Sequence, residues 1–359
     1  MALKGQTFSR FIIEALRATG VHGGELAALL NDVQTACKYI DVAAARGALQ
    51  PPKSVPPHGI NIHGEVQTEL DVLANALMVE TCEWGGQLRG MLSEELSEIY
   101  PIPQIYPKGE YLLMFDPISG SANFDINVTC GTIFAILHAP DPGAELSAAD
   151  FLQPGRNLVA AGYAMYGPVS MMVVTLGDGV YGFTLDREIG AYTLTHPRMT
   201  VTPSSQEFAI NASNGKYWEP PIQRYVEECV EGAEGVRRTD FNMRWVASVV
   251  AEVHRILIRG GVYMYPRDTR EPAKSGRLRL LYEANPVAFL VEQAGGLASN
   301  GRARLLDIMP DHIHQRTGII LGSREEVERI EHYHALYDRG EDTRFETPLF
   351  NTRSLFRSG

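Results

Sequence analysis

The residues best suited to chemistry are carboxylates set at the ends of short apolar runs. In YLLMFDPISGSAN, Asp116 closes such a run and is followed by a turn built on Pro117 and Gly120. A strand-end carboxylate beside backbone amides suits a cation held next to a phosphate. An aspartate opening a turn also commonly accepts a hydrogen bond from that turn's own backbone. Glu94 and Glu95 follow GMLS, another strand-like run, and Glu283 interrupts the apolar run LRLLYEANP. Adjacent glutamates ordinarily form a solvated face, but a carboxylate inside an apolar run must be paired, protonated or bound to a metal. Arg277 and Arg279 stand two apart and share one face if their segment is a strand. Arg244, after FNM, is a further candidate anion ligand. Each arginine alone reads as a surface cation. Together, the carboxylates and guanidinium groups have the makings of a site for metal-assisted hydrolysis of a phosphate ester, in which divalent ions neutralise phosphoryl oxygens and activate water.

Helices must come first among the elements that position these groups. Apolar residues recur at helical spacing through Phe8–Leu16 and from Leu26 to Ala45, after the Gly23-Gly24 break. A proline-rich loop from Gln50 to Pro57 ends that block. A third helix is expected from near Glu65 to about Trp84, with Leu70, Leu73, Leu77 and Met78 as its apolar stripe and Asp71 near its start. From Tyr111 the pattern turns to short β-forming runs: YLLMF, CGTIFAIL, VAAGYAMYG, SMMVVTL, VYGFTLD and AYTLT. Gly177-Asp178-Gly179 marks a hairpin between two of them. The stretch HPRMTVTPSSQEF is polar and turn-rich, and a domain boundary is expected inside it. Beyond it, a strand at FAINAS, helices at 221–231 and 243–259, the strands GGVYMYP and GIILG, a helix at NPVAFLVEQAGG and an acidic terminal helix alternate. The expectation is an α+β domain over 1–200, an α/β domain over 201–338 and a polar tail over 339–359.

Composition narrows the function. The chain has 359 residues, 45% of them hydrophobic, enough for a large core and two domains. Its net charge of -11 disfavours nucleic acid and anionic membranes, both of which need a basic surface. No run approaches a membrane span, and MALKGQTFSRF lacks the pattern of a signal peptide, so the cytoplasm is expected. Cys37, Cys82, Cys130 and Cys229 form no CxxC pair and read as buried thiols.

The blocks GELAALLN, SEE at 93–95, FDPISGSANFDINV, GTIFAIL, LQPGRNLVAAGYAMYG, FNMRWVAS, VHRILIRGG, GRLRLLYEANP, EQAGGLA and DHIHQR resemble class I fructose-1,6-bisphosphatase of the bacterial type, within the inositol-phosphatase-like metal-dependent phosphatases. The likeness runs from about Gly24 to about Gly322. It implies a layered sandwich of alternating helix and sheet, a homotetramer, and removal of the 1-phosphate of fructose 1,6-bisphosphate with Mg2+ or Mn2+. By position it implies Glu94, Asp116, the Ile118 carbonyl and Glu283 as metal ligands. It places Glu95 beside them, and Glu65 and Asp71 as groups that help activate water. Gly120, Ser121 and Arg279 match contacts to the 1-phosphate, with Ala122 in the same turn. Asn211, Tyr265 and Arg277 match groups around the sugar and its 6-phosphate, and Arg244 an arginine given across a subunit interface. Trp245 replaces the tyrosine of the animal pattern.

Two departures bear on function. The family motif DPLDGSSN has a second aspartate, a metal ligand, where this chain has Ser119, and a serine where it has Ala122. A hydroxyl in place of that carboxylate removes a charge from the cluster, so weaker metal binding and reduced activity are expected. At the positions that match the AMP phosphate site of the animal enzymes the chain has Gly23, Ala27, Glu110 and His138, keeping Tyr111 and Gly24-Glu25, so little AMP inhibition is expected. The cysteine insertion of the chloroplast forms is absent. Three alternatives stay open: sedoheptulose 1,7-bisphosphate as the substrate or a second one, a non-catalytic sugar-phosphate-binding subunit, and a generic inositol-phosphatase-like enzyme, which would not need Arg244 or RLRLLYE.

Overall fold

The computed structural model describes residues 5–18, 23–49, 68–141, 143–270 and 275–342. Three helices open the chain: α1 (Phe8–Ala18), α2 (Gly24–Arg46) and α3 (Glu69–Cys82). Strands β1 (Leu88–Ser93), β2 (Tyr100–Pro101), β3 (Tyr111–Ser119), β4 (Cys130–His138), β5 (Ala160–Tyr166), β6 (Met171–Thr175), β7 (Val180–Asp186) and β8 (Ala191–Met199) form one sheet in the order β2-β1-β3-β4-β5-β6-β7-β8. The β1–β3 pair is parallel; the other neighbours are antiparallel.

The second half supplies β9 (Glu207–Ala209), α4 (Pro220–Glu231), β10 (Asn242–Met243), α5 (Val249–Arg259), β11 (Val262–Tyr265), β12 (Leu278–Arg279), α6 (Asn285–Gln293), β13 (Leu297–Ser299), β14 (Arg316–Thr317), β15 (Ile319–Gly322) and α7 (Arg324–Asp338). A five-stranded sheet runs β10-β9-β11-β15-β13, and β12 pairs with β14 alone.

Alternation along β3 shows how the layers stack. Leu113 and Phe115 pack with α1–α3, whereas Leu112 and Met114 share a core with α5, α6 and the five-stranded sheet. The far side of that second sheet, with Phe208, Val262, Met264 and Ile320, packs against α4 and α7. Helix, sheet, helix, sheet and helix therefore alternate, as expected. All nine residues of β3 are buried, and its first five, YLLMF, accordingly read as an unbroken apolar run.

Several local readings need correction. The third helix starts at Glu69, capped by Thr68, whose Oγ1 accepts from the Asp71 amide while Asp71 Oδ2 accepts from the Thr68 amide. Glu65, where that helix was expected to begin, lies outside the described residues. The helix expected over 243–259 begins only at Val249, because Arg244 continues the pairing beyond β10 by donating to the Phe208 carbonyl and Ala247 adopts φ +60°. The strand read at AYTLT is longer than expected: β8 continues through HPRM to Met199. Arg277 precedes a strand of only two residues, and Leu280–Ala284 then form a single π-helical turn.

Candidate active site

Asp116 lies within β3, not at its end: pairing with β4 resumes at Ser119 opposite Gly131, after an irregularity between Asp116 and Ser119. There the backbone turns away from the ladder, and Thr132 Oγ1 donates to the Pro117 carbonyl at 2.8 Å. Asp116 Oδ1 accepts from the Ile118 amide at 3.1 Å, so the residue is also the acceptor of its own turn. Gly120 follows at φ +83°, a left-handed conformation that favours glycine.

A cleft of about 230 Å³ opens over this turn. Its walls bring together Asp71, Glu94, Glu95, Asp116, Ile118, Ser119, Gly120, Ser121, Ala122, Tyr265, Arg277, Arg279 and Glu283. Parallel pairing with β3 carries β1 to this cleft: the Glu94 amide donates to the Phe115 carbonyl just past the strand end. Ser93 Oγ accepts from the Glu95 amide and donates to Asn75 Oδ1 on α3. The π-helical turn brings in Glu283, whose Oε2 accepts from the Arg279 amide at 2.7 Å. Arg279 is nearly fully buried; its Nη2 lies 3.6 Å from Glu94 Oε1 and its Nη1 donates to the Arg277 carbonyl.

Burial raises the Asp116 pKa well above the carboxylate range, the charges of Glu94 and then Glu283 raise it further, and a hydrogen bond from Ser119 opposes them. Two carboxylates that disfavour the charge of a third suit a hard divalent cation, which would relieve the repulsion on Asp116. Among the described residues no three Asp, Glu, His or Cys groups converge as a ready metal centre. Glu94 and Glu283 face Arg279, and Asp116 shares hydrogen bonds with its own turn, with Ser119 and with Glu94.

Two expected residues do not line this cleft. Asn211 Oδ1 accepts from the Ser213 amide and hydroxyl, capping a short 3-10 turn. Arg244 is half exposed and lies 3.5 Å from Glu207. Arg316, which the sequence reading did not single out, does line it. It sits opposite Arg279 in the β12–β14 pair. Its only trace in the sequence is the DHIHQR block, because the pairing joins positions far apart in the chain.

Fold and cleft together define a phosphatase of the layered sandwich class. Residues 6–197 match the family described as fructose-1-6-bisphosphatase, N-terminal domain, and residues 201–335 match its C-terminal domain. The chain is 54% identical to the class 1 fructose-1,6-bisphosphatase of Methylacidiphilum infernorum, covering 100% of both chains. It is 53% identical to one from Methylibium petroleiphilum, with 98% of this chain and 97% of that protein covered. The crystal structure of Leishmania major fructose-1,6-bisphosphatase in holo form superposes with a TM-score of 0.84 at 32% identity, over 93% of this chain and 100% of that one. The chain belongs to the class I fructose-1,6-bisphosphatase family.

Proposed function

We propose that this enzyme hydrolyses fructose 1,6-bisphosphate to fructose 6-phosphate and inorganic phosphate. The observation that carries the reading is the meeting of Glu94, Asp116 and Glu283 with Arg277 and Arg279 in one cleft. Glu94, Asp116, Glu283 and the Ile118 carbonyl would hold Mg2+, or Mn2+ in its place, with Ser119 adding a hydroxyl oxygen. The ion supplies charge neutralisation at the phosphoryl oxygens and lowers the pKa of a water. The amides of Gly120 and Ser121, next to Ala122, and the Arg279 guanidinium bind the 1-phosphate. Arg277, Tyr265 and Asn211 orient the sugar and its 6-phosphate. Asp71 and Glu95, with Glu65, take a proton from the attacking water as its oxygen bonds phosphorus, while the bond from phosphorus to the 1-oxygen breaks and the 1-oxygen leaves with that electron pair and is protonated from solvent. The half-exposed Arg244 serves the site of a neighbouring subunit in a homotetramer, which explains its distance from its own cleft. Residues 1–200 and 201–338 act as the two domains whose junction holds the cleft, and the cytoplasm is the setting. The enzyme serves gluconeogenesis or carbon fixation.

Phosphate release from fructose 1,6-bisphosphate across Mg2+ and Mn2+ titrations tests the reading. Sedoheptulose 1,7-bisphosphate runs in parallel. Release from the first substrate that exceeds the second supports it; no release at any metal concentration overturns it.

A further inference from the structure

The turn that carries Glu94 and Glu95 and the π-helical turn that carries Glu283 come from segments nearly two hundred residues apart, and one histidine joins them. His314 lies just before β14, with Nε2 3.2 Å from the Ser97 carbonyl oxygen and Nδ1 2.9 Å from the Tyr282 hydroxyl. A carbonyl oxygen only accepts, so Nε2 carries the hydrogen. In the neutral ring that leaves Nδ1 as an acceptor, and the Tyr282 hydroxyl donates to it. The two rings meet edge to face, with centroids 5.9 Å apart. Tyr282 is fully buried and immediately precedes Glu283, and Ser97 lies two residues after Glu95. Each end of the bridge is thus within three residues of an acidic group lining the cleft, while His314 itself is not among its lining residues.

We propose that His314 is a positioning residue. Through the Ser97 carbonyl and the Tyr282 hydroxyl it fixes the spacing between the Glu94-Glu95 turn and Glu283, and so sets how tightly the carboxylate cluster holds a divalent cation. Distance matters here because a carboxylate set binds a small hard ion only at short ligand distances, whereas carboxylates a little too far apart simply repel. A bridge that holds both turns also opposes that repulsion before any cation arrives.

The proposal rests on the reading of Glu94, Asp116 and Glu283 as the metal-holding set, and the experiment separates the two. Thermal unfolding of the full chain is followed across a Mn2+ titration with no substrate, for the wild type and for His314→Ala, Tyr282→Phe, the double variant and His314→Gln. The wild type rises in Tm with Mn2+; a wild type that does not respond brings down the metal-site reading itself. His314→Ala and Tyr282→Phe each move the Mn2+ midpoint up by about tenfold, the low end for partners outside the ligand shell. The double variant moves no further than either single one, because both break one bridge. Glutamine, with a donor and an acceptor on one amide, returns the midpoint most of the way. The metal concentration for half-maximal phosphate release shifts in parallel, with KM for the sugar bisphosphate little changed. An unchanged midpoint in His314→Ala together with a lower metal-free Tm would show a merely structural contact and overturn the proposal. If His314→Ala does not fold, Tyr282→Phe, which removes only a hydroxyl, decides by the same criterion.

Discussion

Ser119 shows how one residue changes the character of a site. Its hydroxyl supports the charged form of Asp116 by hydrogen bonding, in a place where the family motif has a further carboxylate. A hydroxyl donates to the cluster; a carboxylate adds to its negative charge and gives a cation another ligand. Ser119→Asp is therefore expected to lower the Mg2+ concentration for half-maximal activity by about tenfold, roughly 1.4 kcal/mol of binding. A metal titration of phosphate release, with no gain in affinity or turnover, would remove the charge argument. Asp116 carries the companion lesson. The turn-forming and cation-holding uses of an aspartate are compatible, since one oxygen accepts from Ile118 and the cleft remains lined by the same residue.

Elements set what those residues can reach, and α2 illustrates the electrostatics of doing so. Asp32 on this helix has Oδ2 buried with no hydrogen-bond partner, and burial pushes its pKa up to about 6. Unfolded, the carboxyl ionises near its ordinary value of 3.8. The folded chain therefore holds the proton more tightly between these values, and stability falls as pH rises through that window. Asp32→Asn is expected to raise Tm at pH 8 and to change it little at pH 4, which differential scanning across pH would read. Most elements were legible in the sequence because each announces itself locally. Leu26 to Ala45 keeps a helical period, and the runs at 111–137 and 160–186 are apolar and β-forming. What escaped depends on distant partners. The start of α5 is decided by Arg244 pairing with Phe208 and by the left-handed Ala247, neither visible in an apolar pattern. Arg316 enters the cleft only because β14 pairs with β12. The carboxylates Glu94, Asp116 and Glu283 were legible as candidates from their apolar flanks, but their meeting came from the family resemblance, since no local rule joins position 94 to position 283.

On the scale of the whole molecule, a layered fold places titratable groups between its sheets. His254 on α5 shares a 2.9 Å hydrogen bond with the Tyr163 hydroxyl on β5, and burial, with His196 contributing, lowers its pKa to about 4. The unfolded chain protonates this ring first as pH drops below 6.5, so stability decreases from there down to about 4 and then levels with respect to this group. His254→Gln is expected to flatten that part of a Tm-against-pH curve. A distant cleft of about 700 Å³ lies between α1 and α2, lined by Arg17, Gly23, Gly24, Glu25, Ala27 and Asn31 among others. It offers no threonine hydroxyl at Gly23 or Ala27, and the Tyr111 ring lies against His138, its centroid 4.7 Å away. AMP below 1 mM, a concentration on the order of a weak site's Kd, is expected to leave phosphate release unchanged; inhibition in that range would contradict this.

The π-helical turn at Leu280–Ala284 carries a further consequence, for how such a chain can vary in length. A regular helix advances about 100° per residue. Loss of a single residue within this turn would swing every later side chain of α6 around the axis by that amount, or else pull Glu283 out of line with the amide of Arg279. Deletion here would have to sacrifice either the cleft or the core. Length at this point is held from both sides.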